Sequence, residues 1–212
     1  MTEDPPFGLV LYLTGGSSLG CVTSTRAIKV LGIGGSLREG SQSERALRVA
    51  LAGAAEAGAH TTAITASGLD LPFFDAGVTD RSNKAIELIE AIREADGLII
   101  GSPGYHGALS GLVKNALDYA EDLRSDRRPY LEGRAVGLVA VAFGWQAAVG
   151  TLNQLRTITH ALRGWPTPLG GAVNSAEVKF DDIGGASEEK VVNTLRLIGR
   201  QVAEFAVAQG RV

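Results

Sequence analysis

The chain has 212 residues, 45% of them hydrophobic, with 20 Lys plus Arg against 23 Asp plus Glu and a formal net charge of −3. That length suits one domain with a substantial core, and the mildly acidic balance excludes the basic footprint of a nucleic-acid binder. A single cysteine, Cys21, excludes an intrachain disulfide, and the three histidines, His60, His106 and His160, lie too far apart in sequence to form a recognisable metal-ligand motif.

Residues 1–25 differ in pattern from the rest of the chain. Phe7 to Leu13 is apolar, and Gly15, Gly16, Ser17 and Ser18 then interrupt it. The opening Thr2–Glu3–Asp4–Pro5–Pro6 lacks the basic charge a secretory signal needs, and no Lys or Arg precedes Arg26. Ser18–Leu19–Gly20–Cys21 matches a lipoprotein cleavage box only loosely, and the apolar run is too short to span a bilayer. The expectation is a loosely ordered extension ahead of one domain, 26–212, in a cytoplasmic protein without membrane contact.

From residue 26 onward, apolar runs alternate with amphipathic segments. A buried strand is expected at about 27–34, then a helix at about 43–57 with Leu47, Ala50, Leu51 and Ala54 on one face. Gly58 closes it, and His60–Thr65 reads as a second strand. Ser67 to Ser82 is a long connection containing Leu71–Pro72–Phe73–Phe74–Asp75, whose two phenylalanines should pack over a neighbour or a ligand. Asn83 opens a helix with Ile86, Leu88, Ile89, Ile92 and Ala95 inward. Gly97–Gly101 is apolar without alternation, as parallel sheets require. A third helix is expected over Leu112–Leu123, a fourth strand over Ala135–Val141, and a fourth helix over roughly 147–162. A short strand is expected to follow Trp165–Pro166. Ser187 is the expected cap of a last helix, with Glu188 and Glu189 in its first turn and Val191, Leu195, Ile198, Val202 and Phe205 on its buried face.

Five alternations of strand and helix imply an α/β fold. The expected architecture is a doubly wound, flavodoxin-like, five-stranded parallel sheet of order 2-1-3-4-5, with helices on both faces. Ligands of such sheets sit beyond the carboxyl ends of strands one and three. The loops 36–43 and 102–111 should therefore face one ligand.

The first of these loops, Ser36–Leu37–Arg38–Glu39–Gly40–Ser41–Gln42–Ser43, runs from a strand into a helix start. Loop amides, the helix N-terminus, three serine hydroxyls and one guanidinium together suit a terminal phosphate. Ser36, Arg38, Ser41, Gln42 and Ser43 are the candidate contacts. Three familiar motifs fail here. The dinucleotide fingerprint meets Leu37 where its third glycine belongs, a P-loop lacks its lysine, and a nucleophile elbow ends on Arg38. The plainer reading is a strand–helix connection with a capping box, Ser41-x-x-Glu44.

The second loop, Ser102–Pro103–Gly104–Tyr105–His106–Gly107–Ala108–Leu109–Ser110–Gly111, has no acid or basic nucleophile. A rigid proline, glycines, two flat side chains and backbone donors suit a planar heteroaromatic ring, although Tyr105 and His106 also serve as ordinary turn residues. His106 has no evident carboxylate partner in sequence, so no catalytic residue is assigned. Phe143, Gly144 and Trp145 after strand four sit on the same edge and offer further cover; Trp145 fits a core or subunit contact equally well.

Gly35–Ser36–Leu37–Arg38-x-x-Ser41, Ser102–Pro103-x-Tyr105-x-Gly107 and Gly111–Leu112-x-Lys114–Asn115–Ala116–Leu117–Asp118, in that order, resemble the NAD(P)H-dependent FMN reductases. That family includes flavin, quinone, azo-dye and chromate reductases, and the resemblance covers roughly residues 27 to 175. It implies FMN as cofactor and NAD(P)H as electron donor. Ser36, Arg38, Ser41 and Ser43 would hold the FMN phosphate, and Pro103, Gly104, Tyr105, His106 and Gly107 the isoalloxazine ring. Two positions depart from many relatives, which carry Asn in place of Ser43 and Glu–Tyr–Asn in place of Gly104–Tyr105–His106; a serine-rich phosphate loop like this one occurs in the flavin reductases of alkanesulfonate systems. The resemblance further implies a homodimer or homotetramer, and as acceptor either free flavin for a flavin-dependent monooxygenase or a quinone-like molecule. The competing class is a flavodoxin-type electron carrier, whose strongly acidic surface a charge of −3 does not match.

Overall fold

The computed structural model describes residues 27–210, so the expectations for 1–25 lie outside the described residues. Strand β1 (Lys29–Gly34) leads into helix α1 (Gln42–Glu56), then β2 (His60–Thr65), α2 (Asn83–Glu94) and β3 (Gly97–Tyr105). A two-residue strand β4 (Ala108–Leu109) folds back on β3, followed by α3 (Gly111–Asp118), β5 (Ala135–Ala142) and α4 (Trp145–Ala161). The remaining elements are β6 (Trp165–Pro166), β7 (Gly171–Asn174) and α5 (Glu189–Gln209).

The sheet runs β2-β1-β3-β5-β6, all parallel along that path, with β7 also on β5. This is the expected order, except that two short strands share the fifth place. Trp165 and Pro166 pair with Ala135 and Val136, and Gly171–Asn174 pairs with Val139–Ala142. One core layer joins α2, α3 and α4 to the sheet through residues such as Leu88, Ile92, Val113 and Leu155. The other joins α1 and α5 through Leu47, Ala50, Leu195, Ile198 and Val202. The central strands β1, β3 and β5 are buried on both faces, which accounts for their unbroken apolar sequence.

Four local readings are corrected. The third helix is α-helical only to Asp118, and Tyr119–Leu123 tightens into a 3₁₀ turn. Ile86 faces solvent, and Ala85 takes the inward place. Helix α4 starts two residues early, at Trp145. Ser187 does not cap α5: its hydroxyl accepts from the Lys179 amide at 3.1 Å, and Glu188 stands at the cap without a side-chain bond. The two phenylalanines divide. Phe74 packs edge-on against Tyr119 (5.3 Å) beneath the Arg81 guanidinium (4.7 Å), while Phe73 is 91% exposed.

Helices α1 and α5 touch backbone to backbone. A Cβ on Gly199 would stand 1.8 Å from the Ala50 carbonyl oxygen, and one on Gly53 2.0 Å from that of Arg196. Gly199→Ala should gain about 1 kcal/mol of helix propensity and lose more to overpacking, typically 1–3 kcal/mol. The urea midpoint should fall; an unchanged or raised midpoint would show that the helices separate at little cost.

Candidate functional site

Strand β1 ends where its backbone nearly meets β3. Gly34 has φ of 147°, and a Cβ there would lie 1.8 Å from the Gly101 carbonyl oxygen. Gly35 N–H donates to that same oxygen at 3.1 Å. Only glycine tolerates this approach, and it brings the chain after β1 alongside the end of β3. The loop then climbs into α1. Ser41 caps it, accepting from Glu44 N–H at 3.3 Å, and shares a hydrogen with the Ser43 hydroxyl at 3.2 Å. Both serines are buried.

The Glu44 carboxylate does not line the cavity beside this loop. It accepts from Gly40 N–H (3.0 Å) rather than from the Ser41 amide, and is engaged by Arg48 and the Thr65 hydroxyl. No carboxylate lines the loop's cavity, and Arg38 has no ion pair among the described residues. The α1 N-terminus thus keeps its dipole and a free guanidinium pointed at one side.

The β3–α3 loop is fixed from below. The fully buried Ser102 hydroxyl accepts from Ser110 N–H (3.0 Å) and donates to the Pro103 carbonyl (2.9 Å). Gln154 of α4 brackets the outer turn, donating to the Gly107 carbonyl and accepting from Leu109 N–H. At Gly104 a Cβ would press on the Thr151 hydroxyl (2.7 Å) and the Ala142 methyl (2.8 Å), so glycine lets this strand end lie flat on α4. Asn174, buried at the end of β7, accepts from Gly144 N–H at 2.8 Å and donates to Glu177, whose carboxylate also takes the Trp145 ring N–H.

These loops enclose a cavity of about 540 Å³ lined by Ser36, Arg38, Ser41, Gln42, Ser43, Pro103, Gly104, Tyr105 and Phe143, all expected from the sequence. Val141, Ala142 and Ser175 also line it. Ser175 carries no local signal of a site, because sequence alone does not place β7 closely enough to show that it ends at this edge. His106, Gly107 and Gly144 do not line the cavity. His106 sits outward in the left-handed region (φ 51°), as does Gly107 (φ 85°). Gln42 lines the cavity, but its amide is committed elsewhere: it donates to the Phe180 carbonyl and accepts from the Phe180 N–H.

The model of the NADPH-dependent FMN reductase family matches residues 28–178. The chain belongs to that family. An FMN-dependent NADPH-azoreductase of Staphylococcus saprophyticus is 30% identical over 181 residues, a match covering 73% of this chain and 92% of the relative. The NADPH-dependent FMN reductase ArsH of Acidithiobacillus ferrooxidans is 34% identical over 127 residues, 60% of this chain but 52% of ArsH. The chain spans about half the length of some curated relatives it matches. Among solved structures, FerB of Paracoccus denitrificans, a flavoenzyme NAD(P)H:(acceptor) oxidoreductase, superposes with a TM-score of 0.66 at 18% identity over 86% of this chain and 99% of its own, a likeness of fold.

The residues present fit FMN, the cofactor that gives this FMN reductase family its name. Three hydroxyls, one unpaired guanidinium and a helix N-terminus converge without a competing carboxylate at one end of the cavity. Pro103, Gly104, Tyr105, Val141, Ala142 and Phe143 supply an apolar and aromatic part of the lining of the same cavity. Its volume falls within the range of small-molecule sites, roughly 300–1,000 Å³. Arg38→Ala should remove one charge-assisted contact and weaken FMN about ten- to hundredfold, while riboflavin affinity barely moves. Equal losses for both flavins, measured by fluorescence titration, would contradict a phosphate role for Arg38.

Proposed function

We propose that the chain is an NAD(P)H-dependent FMN oxidoreductase that passes electrons to a small-molecule acceptor. The observation that carries this reading is the meeting of the loop 36–43 and the end of β3, residues 103–105, around one cavity, with Arg38 unpaired at its edge. When bound, FMN supplies a ring that accepts a hydride from NAD(P)H and yields electrons to the acceptor.

The chain's own part is binding, orientation and shielding. Ser36, Ser41, Ser43, Arg38 and the first amides of α1 would hold the phosphate and so set how far the rest of the cofactor reaches. Pro103, Gly104 and Tyr105 would flank one edge of the ring, with backbone groups rather than titratable ones. Arg38 and Tyr105 are the only ionisable side chains among the described residues lining the cavity, so none is assigned as acid or base. Tyr105, Phe143 and Trp145 are exposed along the same rim, with Phe143 83% accessible. Such an aromatic border suits a flat acceptor, azo compound or quinone, or a second subunit of a dimer or tetramer. The names of the azoreductase relatives support the first, and free flavin for a monooxygenase is the other acceptor to compare. In this reading residues 1–25 form an extension separate from the domain 26–212.

Purified protein loaded with FMN should lose its flavin absorbance within seconds of anaerobic mixing with NADPH, with no partner reductase present. Oxidised flavin persisting for minutes would instead mark a one-electron carrier. Acceptors are then ranked by turnover, and flavin affinity separates a retained cofactor from a released one.

His106 offers a sharper check. Its side chain has no hydrogen bond among the described residues, stands outside the cavity, and its left-handed backbone also suits asparagine. His106→Asn should leave NADPH-driven flavin reduction within about tenfold, whereas general acid–base groups contribute roughly 10²–10⁴. A thousandfold slower reduction with FMN still bound would make His106 a catalytic residue.

A further inference from the structure

A second cavity, of about 530 Å³, opens at the opposite edge of the sheet, where β3 and β5 begin. It is lined by Arg93, Arg127, Arg128 and Arg134 with Asp96 and Asp126. The length of β5, seven residue steps of about 3.3 Å, puts it roughly 23 Å from the flavin-site loops.

Both aspartates are already engaged. Asp126 accepts from Arg93 Nε at 2.7 Å, and Asp96 accepts from the Lys29 amide at 2.9 Å. Arg93 is held further by Glu90. Arg134 is 1% exposed and has no carboxylate on its guanidinium among the described residues. It donates instead to the carbonyls of Ala95 (2.9 Å), Arg93 (3.0 Å) and Tyr130 (3.1 Å). Arg128 Nη2 donates to the same two carbonyls of Ala95 and Arg93. Arg127 makes no hydrogen bond or ion pair among the described residues.

Capping the α2 C-terminus explains one arginine, since free carbonyls and the dipole there favour a cation. It does not explain two. Arg134 alone satisfies both carbonyls, so Arg128 adds a second like charge and leaves its Nε and Nη1 without an acceptor among the described residues. Burial first, and then Arg128, push the pKa of the Arg134 guanidinium down to about 10, against the partial compensation that Asp96 and Asp126 supply from the same cavity. Buried positive charge of this kind is ordinarily compensated by an anion. A carboxylate would match one guanidinium fork, whereas a phosphate, with more oxygens and charge, matches several.

We propose that this cavity is a binding site for a small phosphate-bearing anion, held by Arg127, Arg128 and Arg134. The cavity is larger than one phosphate group requires, so inorganic pyrophosphate and a nucleoside diphosphate share the chemistry it reads. The site stands apart from the flavin cavity, and its assignment does not rest on the oxidoreductase reading.

The test is calorimetric titration of the full chain with pyrophosphate, and separately with ADP, at fixed ionic strength and with saturating FMN present. One saturable equivalent should bind, and Arg127→Glu should weaken it at least tenfold while FMN affinity stays unchanged. Arg127 is exposed and unpaired, so this variant should fold normally. ADP binding as pyrophosphate does would identify free inorganic phosphates as the ligand, and ADP binding tenfold tighter would identify a nucleotide. The absence of saturable binding, displacement of pyrophosphate by FMN, or undiminished binding to Arg127→Glu would each overturn the proposal.

Discussion

The close contact between the end of β1 and β3 also positions the site. Gly34 and Gly35 of the β1–α1 connection lie against the Gly101 carbonyl of β3, with no room for a side chain at Gly34. Parallel strands meeting at a topological switch point leave a crevice beyond their carboxyl ends. Here the crossing of Gly34 over β3 decides its width. A side chain at Gly34 would force the two strand ends apart, and the loops that now share one cavity would no longer face each other.

Around that contact, polar groups fix each loop separately. The β1–α1 loop is clamped to the 175–187 segment by the paired Gln42–Phe180 bonds, by Arg45 on the Phe180 carbonyl and by its ion pair with Asp182. The β3–α3 loop is held by Ser102 and Gln154, and the β5–α4 connection by Asn174. Bonds of this type fix geometry more than they stabilise the fold, since each net contribution is only about 0.5–1.5 kcal/mol. Turning Glu44 onto Arg48 and Gly40 completes the arrangement, because an acid aimed into the cavity would oppose any phosphate there.

The order of the sheet is legible in the sequence because β1, β3 and β5 carry apolar runs (Val30–Ile33, Leu98–Ile100, Ala135–Ala142) and each is followed by a patterned helix. Nine of the cavity's lining residues are legible as well, because they follow strand ends in continuous sequence. The features that escape a sequence reading depend on distant pairing. Ser187 has the chemistry of a cap, yet Lys179, eight residues earlier, takes its hydroxyl. Gln42 reads as a ligand contact until Phe180 arrives 138 residues later to occupy its amide. His106 and Gly107 follow Tyr105 directly, but their positive φ values turn the chain outward within two residues. The motif asparagine, Asn115, is a brace, bonding Phe74 N–H and the Pro72 carbonyl of the loop after β2.

If the serine-lined start of α1, with Arg38, receives a dianionic phosphate, the ³¹P resonance of bound FMN should report it. Donors to the dianion lower its second pKa below the ordinary value of about 6, so the bound resonance should hold one position from about pH 5 to 8. A bound resonance that titrates near 6, as in a solvent-exposed monoester, would contradict a phosphate held by these groups.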